Sequence, residues 1–290
     1  MTADGSDGRH VHPTLDADHP LFGLGYAQPV ERREFLHVDD DGVTRESATV
    51  AEETPVALVY NGRPYVVMMC TPADVEDFAL GFTLTEEIVS GAGEVTSLRA
   101  ARFSQGIEVQ IAIPDAAADA LRDRARSLVG RTGCGLCGAT TIDDVLRPGR
   151  TVAAHGRFAP AAIFRAGDEI PRSQRVNKET RAVHAAGWAT RDGHIVLARE
   201  DVGRHNALDK LIGAMVRAKI DPADGFALVT SRASYELVQK CAVAGIPLLA
   251  AISLPTGLAV RMAEAAGITL AALLRGRSVN VYSRPERLEI

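Results

Sequence analysis

The 290-residue chain has little cysteine, little net charge and no long apolar run. Four cysteines over this length do not make a disulfide framework. They suit a reducing compartment, so a cytoplasmic protein is expected. A formal net charge of −5 excludes a general nucleic-acid binder, which needs a basic surface. No stretch stays apolar and charge-free for the ~20 residues that a bilayer-spanning helix requires. The first residues, Met1 to Pro20, are polar and acidic. No basic start leads into an apolar run, so no secretory leader is expected. The length suits one large or two modest domains with ample core.

Residues 1–28 are rich in Asp, Gly, His and Pro and read as a disordered tail. His10, His12 and His19 lie within it and read as solvated. Residues 29–130 read as an α+β domain. Val30–Val38 and Val50–Pro55 are β-rich, and two strands flank the hairpin signal Asn61-Gly62. Thr71-Pro72-Ala73-Asp74 predicts a threonine-capped helix. Its buried face carries Val75, Phe78, Ala79, Phe82, Ile88 and Val89, and it stops at Ser90-Gly91-Ala92-Gly93. Strands at Leu98–Phe103 and Ile107–Ile113 and a helix at Asp115–Leu128 complete this half.

Residues 131–290 read as an α/β domain. A strand ends at Thr190 and pairs across a turn with Ile195–Arg199. Phe226–Thr230, Ile246–Ile252 and Ile268–Leu274 alternate with helices at Tyr235–Ala244 and Leu258–Ala266. That order predicts a parallel sheet. The strand-to-helix loops carry Ser231, Arg232, Ser234, Ser253, Thr256 and Gly257. Hydroxyls and free N–H groups at helix starts suit phosphate. Leu273-Leu274-Arg275-Gly276-Arg277-Ser278 adds two arginines able to grip phosphate bidentately. Together these loops point to an anionic, nucleotide-like ligand. Glu200-Asp201-Val202-Gly203-Arg204-His205-Asn206 crowds polar groups between a strand end and a helix start, where open α/β sheets bind ligands.

The chemistry centres on Arg131-Thr132-Gly133-Cys134-Gly135-Leu136-Cys137-Gly138. Glycine gives an exposed loop its freedom, and Thr140–Leu146 reads as the start of a helix. A thiolate beside arginine and a helix N-terminus has a depressed pKa and is a nucleophile. Three readings compete. Half of a structural zinc site needs two more ligands, and Cys70 and Cys241 stand isolated in apolar surroundings. A thioredoxin-type dithiol belongs after a first strand, not mid-chain. The third is a sulfur carrier, with one cysteine holding a persulfide and the other relaying or resolving it.

Taken together, the cysteine loop, Glu200–Ala207, Ser231-Arg232 and Gly245-Ile246-Pro247 resemble the formate dehydrogenase accessory sulfurtransferase family (FdhD), over roughly residues 29–290. The resemblance implies a cytidine-deaminase-like α/β domain, with the Cys-x-x-Cys loop at its start, behind a smaller α+β domain. It implies a cytoplasmic homodimer that takes sulfur as a persulfide from a cysteine desulfurase. The sulfur would pass to the molybdenum bis(molybdopterin guanine dinucleotide) cofactor destined for formate dehydrogenase. Cys134 matches the persulfide cysteine and Cys137 its partner. Leu273, Leu274, Arg275, Gly276, Arg277 and Ser278, with Ser231 and Arg232, fall where the cofactor would be held as substrate, and no resident metal is expected. No histidine is followed two residues later by Glu, so the ligand-and-base pair of a zinc deaminase is missing and deamination is not expected. The alternatives are a zinc-binding deaminase-like module and a cofactor chaperone without sulfur transfer.

Overall fold

The computed structural model describes residues 28–128, 150–153 and 156–289. Two larger sheets and a two-stranded ribbon carry the fold. The ribbon pairs β1 (Val30–Asp39) with β2 (Gly42–Ala51) in antiparallel register. Most of it is exposed, and Leu36, Val38 and Val43 stand in solvent near its tip.

The first larger sheet has the order β4-β3-β6-β5. Its strands are β3 (Thr54–Tyr60), β4 (Arg63–Cys70), β5 (Ser97–Phe103) and β6 (Gly106–Ala112). Asn61 and Gly62 form the expected turn, at φ 48° and 76°. β3 runs parallel to β6 and the other pairs are antiparallel. Helices α1 (Val75–Thr85) and α2 (Asp115–Leu128) bury apolar residues against it, including Val75, Phe78, Phe82, Ala118 and Leu121.

The expected start of α1 needs correction. Its cap residue is Asp74, at φ 54°, and no side chain caps the helix. Thr71 is committed elsewhere: its hydroxyl accepts from the Val202 amide (3.1 Å) and its own amide donates to Asp201 Oδ2 (3.0 Å). A threonine that looks like a local cap in sequence is spent on a long-range tie. α1 also ends at Thr85, short of the Ser90-Gly91 stop.

The second sheet has the order β12-β11-β10-β9-β7-β8. Its strands are β7 (His184–Thr190), β8 (Ile195–Asp201), β9 (Gly225–Val229), β10 (Leu248–Ala251), β11 (Thr269–Arg275) and β12 (Ser278–Ser283). β9, β10 and β11 are parallel as expected. Antiparallel strands flank them, β12 against β11 and β7 against β9, so the sheet is mixed.

Helices cover both faces. On one side lie α5 (Arg204–Arg217), α6 (Tyr235–Val243) and α7 (Gly257–Ala266). On the other lies α3 (Pro160–Ser173), with the short α4 (Arg175–Thr180) following it. Successive strand residues therefore go to opposite cores: Leu249 and Ala251 to one, Leu248 and Ala250 to the other. Burial on both faces explains why these strands read as continuous apolar runs.

The two sheets meet through α1 and α5, which pack with almost no side-chain spacer. A Cβ on Gly81 would lie 1.8 Å from the Asp209 carbonyl oxygen, and one on Gly213 would lie 2.0 Å from that of Asp77. α1 was expected to bury one face. It is buried nearly all round, because the first sheet covers one side and α5 the other.

Candidate functional site at the carboxyl ends of the parallel strands

β9, β10 and β11 open at their carboxyl ends into the loops singled out in the sequence. Ser231–Ser234 and Ser253–Thr256 run side by side, joined by a bridge between Ala233 and Pro255 and by the Thr256 amide donating to the Ala233 carbonyl (3.0 Å). Thr256 caps α7, its hydroxyl accepting from the Ala259 amide (3.3 Å). β11 ends in a bulge. Leu273 sits at φ 56° and its amide donates to the Ser253 carbonyl (3.0 Å). A leucine in the left-handed region costs about 1–2 kcal/mol. Strain of this kind collects at functional sites.

The predicted cofactor segment is thus the end of β11, its bulge, and the two-residue turn Gly276-Arg277 before β12. Leu274 is 4% exposed and packs in the α3-side core, against the face of α3 at Gly167. Its side chain is core, and it offers the rim only backbone. Arg275 is exposed but tethered, Nη1 donating to the carbonyls of Ile252 (2.5 Å) and Leu274 (2.8 Å). Arg277 projects into solvent and pairs loosely with Asp168 (3.4 Å). Ser278 is exposed, and Ser231 is buried with its hydroxyl donating to the Arg232 carbonyl (3.0 Å). Arg232 is exposed. One rim therefore collects Ser231, Arg232, Leu273, Arg275, Gly276, Arg277 and Ser278. Cys134 and Cys137, with the helix expected at Thr140–Leu146, lie outside the described residues.

The same edge carries a polar cluster that the sequence showed only in part. β7 runs antiparallel to β9, so its first residue, His184, reaches the rim. The Ala185 amide donates to Thr230 Oγ1 (2.9 Å) and the Thr230 amide to the Ala185 carbonyl (3.0 Å), which sets His184 beside Ser231. His205 Nε2 lies 2.8 Å from Glu236 Oε2 and 3.4 Å from Ser234 Oγ, and that hydroxyl donates to Glu236 Oε2 (2.9 Å). One ring nitrogen faces both partners, so this is no nucleophilic triad, in which the two ring nitrogens serve different groups. Burial acts to raise the Glu236 carboxyl, but the His205 contacts prevail and hold it below its ordinary value. Burial, and then the Arg204 charge, push the His184 imidazole down. Sequence reading missed His184 and Glu236. His184 lies where a charged segment passes into a short apolar strand, and Glu236 lies inside the helix expected at Tyr235–Ala244, so neither carried a local signal of its own.

Beneath the rim, Asp201 fixes the β8-to-α5 turn. Its Oδ1 accepts from the Gly203 amide (2.8 Å) and Asn206 Nδ2 (3.0 Å), and its Oδ2 faces Lys210 Nζ at 2.6 Å. Both ions are fully buried, and Lys210 also donates to the carbonyls of Thr71 (2.9 Å) and Glu200 (3.2 Å). Gly203 is required here, since a Cβ would lie 2.8 Å from Asn206 Nδ2. Arg204 and His205 are thereby presented at the edge from a rigid base.

The remaining cysteines are placed for structure. Cys241 is fully buried, and burial pushes its thiol up to about 12. Cys70 is fully buried too, its thiol raised by burial and then by Asp201. Neither supplies a thiolate near neutral pH. Among the described residues no group of three or more His, Cys, Asp or Glu side chains is placed to hold a metal. Among the same residues no helix is long and apolar enough to cross a membrane.

A mixed sheet covered by helices on both faces, with a polar rim at its parallel strand ends, defines an α/β protein. Residues 51–289 match the FdhD/NarQ family, and the chain belongs to it. It is 51% identical over 241 residues to the sulfur carrier protein FdhD of Xanthomonas axonopodis pv. citri (83% of this chain, 86% of the relative). It is 49% identical over 249 residues to that of Bordetella petrii (86% and 90%). The fold matches the crystal structure of a proposed formate dehydrogenase accessory protein from Desulfotalea psychrophila. The TM-score is 0.70 and the identity 24%, over 89% of this chain and 99% of the other.

Proposed function

We propose that this protein is a cytoplasmic sulfurtransferase that carries sulfur as a persulfide on Cys134. It would take that sulfur from a cysteine desulfurase and give it to the molybdenum bis(molybdopterin guanine dinucleotide) cofactor of formate dehydrogenase. The reading rests on the kinship with relatives named sulfur carriers, over a matched span that includes both cysteines. The division among the cysteines supports it. Burial disarms Cys70 and Cys241, whereas Cys134 and Cys137 lie among glycines beside Arg131.

In the first step the Cys134 thiolate attacks the outer sulfur of the donor persulfide. A sulfur–sulfur bond forms on Cys134, the donor's own bond breaks, and the donor thiolate leaves. In the second, the Cys137 thiolate attacks the Cys134 sulfur. The Cys134–Cys137 disulfide forms and hydrosulfide departs, already at the oxidation level of a metal-bound sulfide. A cellular dithiol then reduces the disulfide for the next cycle. The cofactor's phosphates are suited to Arg275, Arg277 and the serine loops. The mixed sheet covered by helices on both faces accords with a cytidine-deaminase-like domain. We further propose that the first sheet with α1 and α2 forms the N-terminal domain, and that the functional unit is a homodimer.

The test is intact mass after incubation with a desulfurase and free cysteine. The wild type is expected to gain one sulfur atom, reversed by dithiothreitol, and Cys134→Ala to gain none. Equal loading of Cys134→Ala overturns the assignment. Stoichiometric zinc, lost on Cys137→Ser, would favour a zinc-binding module. Calorimetry with GDP is expected to show binding that Arg275→Gln with Arg277→Gln weakens about tenfold, roughly the weight of one charge-assisted contact.

A further inference from the structure

The buried charges Lys210, Asp77 and Lys240 each meet a counter-charge: Lys210 meets Asp201, Asp77 meets Arg199 and Arg217, and Lys240 meets Asp209 and Glu86. Half-buried Arg204 is different. Its Nε is buried and has no hydrogen-bond partner, the one such side-chain atom among the described residues. A buried donor left unanswered is costly, and in a native structure it calls for a missing acceptor.

The acids around it are already engaged. Asp201 is taken by Lys210, the Gly203 amide and Asn206, and Glu236 Oε2 by His205 and Ser234. Two polar groups lie nearby: His184 at the head of β7, within electrostatic reach of Arg204, and Ser231 beside His184, 5% exposed, its hydroxyl turned to the Arg232 carbonyl. The Arg204 charge reaches Glu236 and helps to lower that carboxyl, yet its half-buried guanidinium keeps Nε without an acceptor at this corner of the rim.

We propose that Arg204, with His184 and Ser231, forms a second oxyanion subsite, which takes a phosphate-type group. This rests on the reading of the rim as the place of a phosphate-bearing ligand. β11 and β7 lie three strand positions apart, so the new subsite is roughly 14 Å from Arg275. The two subsites would grip separate anionic groups of one elongated ligand. Arg275 and Arg277 hold one end in the open, and Arg204 the other in partial enclosure.

The experiment follows the histidine ring resonances of the full-length protein by NMR as inorganic phosphate, and separately GDP, is titrated. The His184 signal is assigned by its loss in His184→Asn. Phosphate is expected to shift that signal saturably in the wild type and in Arg275→Gln. In Arg204→Gln the apparent affinity should fall at least tenfold. Arg204→Lys keeps the charge but removes the Nε donor, and it should fall between; circular dichroism checks that both variants fold. No shift of His184, or one of equal affinity in both Arg204 variants, overturns the subsite. The two readings fail separately. If GDP does not bind but the phosphate effect depends on Arg204, the nucleotide reading falls and the subsite stands. If GDP binds through Arg275 and Arg277 while phosphate leaves His184 unmoved, the subsite falls and the nucleotide reading stands.

Discussion

Single side chains divide between those that hold the rim and those that face outward from it. Lys210 and Asp201, both fully buried, belong to the first kind. Removing one partner of such a pair strands the other charge, at a cost of roughly 3–5 kcal/mol. Lys210→Met is expected to lose about that much in urea unfolding. An unchanged midpoint would show that the carboxylate is satisfied by the Gly203 amide and Asn206 alone. His184 belongs to the second kind. Burial and then Arg204 hold its folded pKa below the ordinary 6.5. The unfolded chain therefore binds the proton first as pH falls, and this group subtracts from stability below about pH 6.5. His184→Gln is expected to flatten the loss of stability between roughly pH 7 and 5. An identical pH profile in the variant would count against the assigned environment.

At the scale of elements, the decisive contact is the crossing of α1 and α5 on Gly81 and Gly213. A methyl group at either position would run into backbone that cannot turn aside. Gly213→Ala is expected to cost about 1–3 kcal/mol or more, because overpacking shifts two whole helices. Thermal unfolding checks this, and a melting temperature at or above the wild type would refute it. Elements with strong local signals were legible in the sequence. Asn61-Gly62 gave its hairpin, the alternation over Phe226–Leu274 gave three parallel strands, and α2 falls at Asp115–Leu128. α3 was obscured by Gly167 and Pro171, although Gly167 is there so that Leu274 can pack against the helix. β2 lacks an inward face to give it a pattern, and β12 was hidden by reading Ser278 as part of a ligand loop. The serine and arginine loops of the rim were legible because they follow apolar strands. His184 and Glu236 were not, since their neighbours come from distant strands and helices.

At the scale of the molecule, the two sheets are bound by more than apolar contact. Lys240 on α6 reaches Thr85 (2.9 Å), Glu86 (3.0 Å) and Asp209 (3.0 Å), and Asp77 on α1 takes Arg199 and Arg217. Such ties make the halves unfold together. Calorimetry is expected to give a single transition, with calorimetric and van't Hoff enthalpies equal. Two resolved transitions would show instead that the interface yields before either core.

The seating of α1 between a sheet and α5 also bears on how the protein is made. α5 begins about 120 residues after α1 ends. At ~5–20 residues per second, a ribosome needs on the order of ten seconds to deliver it. Throughout that interval the side of α1 bearing Gly81 and Thr85 has nothing to rest on. The nascent chain is then a natural client for a holding chaperone, and synonymous changes that slow translation between the two helices should lower the yield of native protein.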